Sequence, residues 1–319
     1  MSLKQHKGKQ KGVALFMTLL VVTIATLLAT EIWFNNTIDI SRQSNNRSAY
    51  QANHYANGMA LWARDVLRID YEETQAFDNR GEVWNQPIAG IQLEDAVLSG
   101  RLRAMDSKFN LNNLVINGAI DAPSLAYFER ILKNLEMDLS LADKIIDWMD
   151  SDQLPMPQGA EDITYLSRSP SYRTAGQNFV HISELKLIDG VNEEIFQRLK
   201  SYVTVLPINS ENPTKININL ASSLLLKSLD DRISSKDALI LYRDGNASNL
   251  TLDDFFRQDT IQYYNLDTEP LRKLISTQSR WYQAQVTVKM DNAVFQKYAL
   301  IYRPGALSVI KQWSETSYH

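Results

Sequence analysis

Hydrophobic and polar positions fall into three regimes along the chain. Residues 13–30, "VALFMTLLVVTIATLLAT", run for eighteen positions without charge, proline or glycine. Wound as an α-helix they rise about 27 Å, close to the ~30 Å hydrocarbon layer of a bilayer. No glycine or proline occurs between Val13 and Asn57, so nothing stops that helix at a membrane surface. Further on, Ala49, Ala52, Ala56, Met59, Ala60, Ala63 and Leu67 recur at spacings of three and four. They form one small-residue apolar stripe on an amphipathic helix. The pattern predicts a single helix over 13–68, roughly 84 Å long, half in lipid and half packed on a soluble domain.

Beyond residue 68 the period changes. "DNRGEVWNQPIAG" is a glycine- and polar-rich connection, and "AVLSGRLRAMDSKFNLNNL" predicts a strand, a turn and a strand, 97–98 and 102–105, leading into 109–114. Near the C-terminus "RWYQAQVTVKM" and "VFQKYALIYRPG" alternate apolar and polar residues across Asp291-Asn292, which predicts a hairpin of 281–290 with 294–303. Between these β regions the pattern is mainly helical, over 124–136, 141–149, 182–187, 192–203, 221–228, 234–243, 252–256 and 271–275. Strands, then helices, then strands imply an α+β fold with a helical domain inserted into it.

The 319 residues allow one large or two smaller folded units. The lack of cysteine excludes disulfides and thiolate metal sites, and four scattered histidines offer no zinc spacing. Formal charge is −4, and loss of a leader carrying Lys4, Lys7, Lys9 and Lys11 takes it to −8. So acidic a chain is poorly suited to phosphate backbones, so no nucleic-acid partner is expected. The lysine-rich flank precedes the apolar segment, which keeps the N-terminus cytoplasmic and exports the rest, to the periplasm in a Gram-negative cell.

Three readings compete for the N-terminal segment. A cleaved signal peptide fits badly, because cutting after Ala29 puts Leu27 at the −3 position, where a small residue is needed. A plain uncleaved anchor is the second. The third is a leader trimmed at Gly12, with the apolar segment kept as the start of a long helix.

"KGVALFMTLLVV" followed by such a helix resembles the start of type IV prepilin-like proteins. That resemblance implies cleavage by a prepilin peptidase between Gly12 and Val13, with amino-terminal methylation of Val13 in prospect. Most such proteins carry Glu at the fifth mature position, where this chain has Met17. A carboxylate inside a bilayer costs about 2.5–3.5 kcal/mol, and it is tolerated when it pairs with the amino terminus of the subunit ahead. A subunit with nothing ahead lacks that partner, so Met17 fits the tip of an assembly. Four further stretches narrow the resemblance to the K-type minor pseudopilin of the type II secretion system: "KFNLNNL", "DWMDSDQLPMPQGAED" with Tyr165 after it, "YRTAGQNFVHISELKLIDG" and "KININLAS". Gly176 departs from the family's "YRTAN", and Val13 from the usual Phe.

The resemblance implies a pilin-like α+β fold, a long N-terminal helix on a small antiparallel sheet, with a large all-α insert holding helix-hairpin-helix or SAM-like units. The expected divisions are a leader 1–12, a transmembrane part 13–34, pilin-like segments 35–115 and 276–319, and an insert 116–275. The expected partners are I- and J-type minor pseudopilins forming a tip complex through the stripe Ala49, Ala52, Ala56, Met59, Ala60 and Ala63. The major pseudopilin, the inner-membrane assembly platform and the prepilin peptidase complete the partner set. A minor pilin-like protein of a type IV pilus, serving adhesion or DNA uptake, is the alternative.

"DWMDSDQLPMPQGAEDITY" places Asp147, Asp150 and Asp152 before a Pro/Gly loop and Glu161 and Asp162 after it. On spacing alone these acids fit a solvated, helix-capping loop as well as a hard-cation site, and the EF-hand pattern is absent. The resemblance implies structural calcium, held by Asp147, Asp150, Asp152, Glu161 and Asp162. "ISELKLIDGVNEEIFQRLKSYVTV" resembles a helix-hairpin-helix, with a diverged second copy at "KININLASSLLLKSLDDRISSKDALILYRD". Asn192 where a second glycine would admit a phosphate, then Glu193 and Glu194 at the helix start, oppose anion binding. No nucleophile-base spacing or phosphate loop appears, so no enzyme is expected; His181 is placed as a helix cap or packing residue.

Overall fold

The computed structural model describes residues 11–74, 77–208, 213–290, 293–315 and 317. Residues 1–10 of the expected leader and the Asp291-Asn292 turn lie outside the described residues. The chain divides into two compact units, 1–54 and 55–319.

The first unit is the beginning of helix α1 (Lys11–Thr74). Its large apolar side chains from Val13 to Phe34 are exposed, and it is the one helix among the described residues long and apolar enough to cross a membrane. The hydroxyls in this segment return to their own helix: Thr23 donates to the Leu19 carbonyl, Thr26 to Val22 and Thr30 to Thr26, each at 2.8 Å. Back-bonding of this kind leaves no side-chain donor unsatisfied in hydrocarbon.

In the second unit the strands β1 (Ile88–Gln92), β2 (Val97–Ala104), β3 (Trp281–Met290), β4 (Ala293–Tyr302) and β5 (Val309–Ser314) form one five-stranded sheet in that order. Every neighbour pair is antiparallel. The hairpin of β3 with β4 matches the expected one to within a residue. The strand-turn-strand expected around Gly100 is instead one continuous strand. Gly100 serves close packing: a Cβ there would lie 2.9 Å from Met59 Cε and 3.3 Å from the Gln285 carbonyl oxygen.

One face of the sheet meets the α1 side chains Ala60, Ala63 and Leu67, which share a core with Trp84, Leu102, Tyr282, Ala284, Ala299 and Ile301. Alanines on both elements let backbones approach closely, and Leu67, fully buried, is worth roughly 1.5–3 kcal/mol of transfer free energy. Met105, Leu206, Trp281 and Leu300 form a smaller cluster.

Between β2 and β3 lies a mainly helical body: α2 (Ala122–Asn134), α3 (Ser140–Met149), α4 (Asp162–Leu166), α5 (Glu193–Leu199), α6 (Ser223–Lys227), α7 (Ser235–Tyr242), α8 (Leu252–Phe256), α9 (Asp259–Tyr264) and α10 (Thr268–Leu274). Its own core extends from Phe109 to Ile275 around Tyr127, Phe128, Ile131 and Leu225. It is not purely helical, since three two-residue strand pairs bind its loops together. Side-chain caps start its helices: Asp121 accepts from Ser124 N, Asn192 from Ile195 N, and Ser222 from Leu225 N. His181 caps the 3-10 turn Ile182–Leu187 in a reciprocal capping box with Glu184.

Candidate metal centre

The acidic loop closes on itself between α3 and α4. Asp147, on the buried last turn of α3, accepts from Met156 N with both carboxylate oxygens, at 3.1 and 3.2 Å. Asp143, one turn earlier, accepts from Gln158 N at 3.0 Å. The loop fits this tightly only because Gly159 has no side chain: a Cβ there would stand 1.8 Å from Asp147 Oδ2.

Asp147, Asp150 and Glu161 each offer a carboxylate oxygen within 4.8 Å of the others'. Both oxygens of Glu161 and Oδ1 of Asp150 are buried without a hydrogen-bond partner. Burial is the main force raising the affinity of all three for a proton, and the neighbouring acids add to it. Asp150 is pushed up to about 6 and Glu161 to about 7. Buried carboxylate oxygens facing one another without donors are the arrangement a hard cation satisfies. The donor set therefore fits calcium.

The other two expected ligands are placed differently. Asp152 adds its field to the group, while its Oδ1 accepts from Leu154 N at 2.8 Å. Asp162 turns to Arg173, at 2.9 Å, and to Thr174, whose backbone N and hydroxyl donate at 2.9 and 3.0 Å. Those donors hold its carboxyl below the usual range. Gly176, the departure from "YRTAN", adopts φ +56° and donates its N–H to the Trp148 carbonyl. This is the left-handed region that Gly and Asn both tolerate, so the exchange keeps the backbone.

The motif asparagines tie distant segments together. Asn110 Oδ1 accepts from Leu206 N at 2.9 Å, Asn112 exchanges bonds with Phe179, and Asn113 with Thr214. In "KININLAS", Asn217 donates to the Asp78 carbonyl and Ser279 Oγ, while Asn219 pairs with Asn249. The sequence reading missed a second acidic group, Asp70, Asp78 and Glu82. Arg303 supplies its cation, reaching Asp70 Oδ2 at 3.0 Å and also Asp78. No local signal marks these residues, because Asp70 and Arg303 meet across 233 positions of sequence.

Of the expected stripe, Ala52, Ala56, Met59, Ala60 and Ala63 are buried and Ala49 is exposed. Ala60 and Ala63 are spent on this chain's own sheet. Met17 and Val13 are exposed on α1.

Residues 107–208, which contain the whole acidic loop, match the family model for type II secretion system (T2SS) protein K. Protein K of Pseudomonas aeruginosa is 32% identical over 262 residues, covering 79% of this chain and 77% of that one. The chain belongs to the type II secretion system protein K family. Protein K of Pectobacterium carotovorum is 27% identical over 318 residues and spans 94% of both chains. The solved structure of the GspK-GspI-GspJ complex from enterotoxigenic Escherichia coli matches with a TM-score of 0.74, covering 86% of this chain and 98% of that one at 20% identity. That likeness is one of fold: the long N-terminal helix, antiparallel sheet and helical body are those of a protein K. The family is that of a pseudopilin, a structural component of the secretion machine.

Proposed function

We propose that this protein K is the tip subunit of a type II secretion pseudopilus, starting its assembly and limiting its length. The observation that carries the reading is Met17, an apolar side chain exposed on the membrane-length part of α1. An acid there needs a neighbour's amino terminus, whereas Met17 needs none. The helical body, read as an insert over 116–275 between pilin-like segments, adds bulk that suits a position with nothing stacked above. In this reading Gly12-Val13 is the cleavage site and Val13 the methylated first residue. The helix crosses the inner membrane once, with its N-terminus cytoplasmic and the rest periplasmic.

The GspK-GspI-GspJ complex supports I- and J-type minor pseudopilins as partners. With Ala60 and Ala63 committed to the sheet, the contact falls to Ala49 and to exposed apolar positions nearer the membrane. The major pseudopilin, the assembly platform and the prepilin peptidase are the remaining partners. Asp147, Asp150 and Glu161 would hold a structural calcium ion, with Asp152 beside them. Calcium there neutralises buried carboxylates and joins α3 to α4; it performs no catalysis.

Mass spectrometry of the mature N-terminus from the native host tests the processing, which is expected to begin at Val13. Cysteine cross-linking of assembled pseudopili tests the position. One copy at one end is expected, and copies along the shaft would refute the tip assignment.

A further inference from the structure

Helix α1 carries an acid where its membrane-length part ends. Between Lys11 and Arg42 the sequence has no Lys, Arg or His, and its acids there are Glu31 and Asp39. Glu31 follows the uncharged segment 13–30 and precedes Ile32, Trp33 and Phe34, and all four of these side chains are exposed. From Val13 to Phe34 the helix spans about 33 Å, against a hydrocarbon layer of about 30 Å. Trp33 then stands at the depth of an interfacial aromatic belt, with Glu31 about 3 Å to its lipid side. Asp39 meets Arg42 one turn on, at 3.8 Å. The positions one turn from Glu31 are Leu27, Leu28, Phe34 and Asn35, none of them basic. Its nearest cation along the helix toward the second unit is Arg42, about 16 Å away by helical rise.

Met17, Leu20, Ile24, Leu27, Glu31 and Phe34 recur at alternating spacings of three and four, so they share one face of α1, and each is exposed. Thr23, Thr26 and Thr30, whose hydroxyls bond back to their own helix, lie off this seam. Glu31 is therefore the seam's polar group. Apolar side chains do not drive helix association in lipid, because the acyl chains are equally apolar. One polar side chain in such a seam selects which helix packs there and at what register.

We infer that Glu31 pairs with a Lys or Arg near the periplasmic end of another chain's transmembrane helix, packed along this seam. A carboxylate at that depth is costly alone and favours a cation at the same level. A second copy at the same depth would present Glu31 to Glu31, and like charges repel. That copy would have to slide about 16 Å to offer Arg42. The inference rests on the proposed membrane crossing by 13–34, and it is independent of the tip assignment.

Ser44→Cys, at an exposed position in a chain without cysteine, carries a donor dye on full-length protein in phosphatidylcholine vesicles. Synthetic Leu/Ala transmembrane helices carry an acceptor dye and either Arg or Gln near one end, with energy transfer as the readout. The Arg helix is expected to associate about fivefold more tightly than the Gln helix, within the range of intramembrane polar contacts. Glu31→Gln is expected to bring the Arg helix down to the level of the Gln helix, and Glu31→Asp to keep most of the preference. Asp39→Asn, an equal loss of charge farther along α1, is expected to leave it unaltered. Equal association of the two helices, an Arg preference that survives Glu31→Gln, or an equal effect of Asp39→Asn would overturn the pairing. Transfer between labelled copies of the protein that Glu31→Gln abolishes would make a second copy the occupant and overturn the assignment to another chain. Alkaline extraction of the same vesicles separates the two readings. Protein that washes off refutes the membrane crossing, whereas protein retained without an Arg preference refutes the pairing alone.

Discussion

Gly159→Ala adds one methyl group and isolates the steric basis of the acidic loop. The φ of Gly159 lies outside the left-handed region, so alanine's backbone preference is not at issue. The added Cβ would meet Asp147 Oδ2 at 1.8 Å and Cγ at 2.6 Å. Asp147 is fully buried and cannot swing into solvent, so the loop must lift. Lifting it breaks the bonds that Asp147 accepts from Met156 N and Ala160 N. Bonds to a carboxylate are worth about 1.5–3 kcal/mol each, and partial relaxation recovers some of that, leaving a cost of about 2–4 kcal/mol. At roughly 2–4 °C per kcal/mol for a body of this size, the melting temperature should fall by about 4–16 °C. The assay is calorimetry in calcium and in chelator. Wild type is expected to melt higher with calcium, and Gly159→Ala lower in both, with a smaller calcium response. A variant melting within a degree of wild type, with the calcium response intact, would show that the loop does not close on Asp147 as described.

Gly58→Ala makes the opposite prediction, since it lies within α1 and a Cβ there meets nothing within 4 Å; stability should rise by about 0.5–1 kcal/mol, read by denaturant unfolding. Arg303→Ala strands Asp70 and Asp78, both buried, without their cation, and should cost about 3–5 kcal/mol in the same assay. Asp106 is fully enclosed, and burial pushes it up from 3.8 to about 7 despite bonds from the Arg280 and Trp281 amides. Below pH about 4 it is protonated both folded and unfolded; between there and pH 7 only the folded state keeps the proton. Its contribution therefore declines as pH rises through that window, by a few kcal/mol at most, and Asp106→Asn should flatten melting temperature against pH between 4 and 7. Unchanged steepness in that variant would assign the dependence to other groups.

Much of this architecture is legible from periodicity. The uninterrupted 13–68 pattern predicts α1, the alternation at 281–303 predicts β3 and β4, and the helical stretches at 141–149 and 252–256 match α3 and α8 closely. The edge strands β1 and β5 are illegible because they bury little: all but one residue of β1 is exposed, and β5 is mostly exposed. Without a buried face there is no alternation to read. Helices α4 and α9 bury a single side chain each, Tyr165 and Ile261, so no apolar stripe marks them in the sequence.

The acidic loop divides in the same way. Its composition alone singles out five carboxylates, and sequence order places them on either side of a turn. Which of them converge was decided by tertiary packing: Arg173 and Thr174 draw Asp162 away, while the close fit of Gly159 against Asp147 brings Glu161 to Asp147 and Asp150. Likewise the stripe on α1 fixes one apolar face, but only the sheet assembled from β2, β3 and β4 determines that Ala60 and Ala63 pack within the chain. Hydrophobic period is a property of neighbours in sequence and survives any fold, whereas ligand choice, charge pairing and surface coverage depend on residues brought together from hundreds of positions apart.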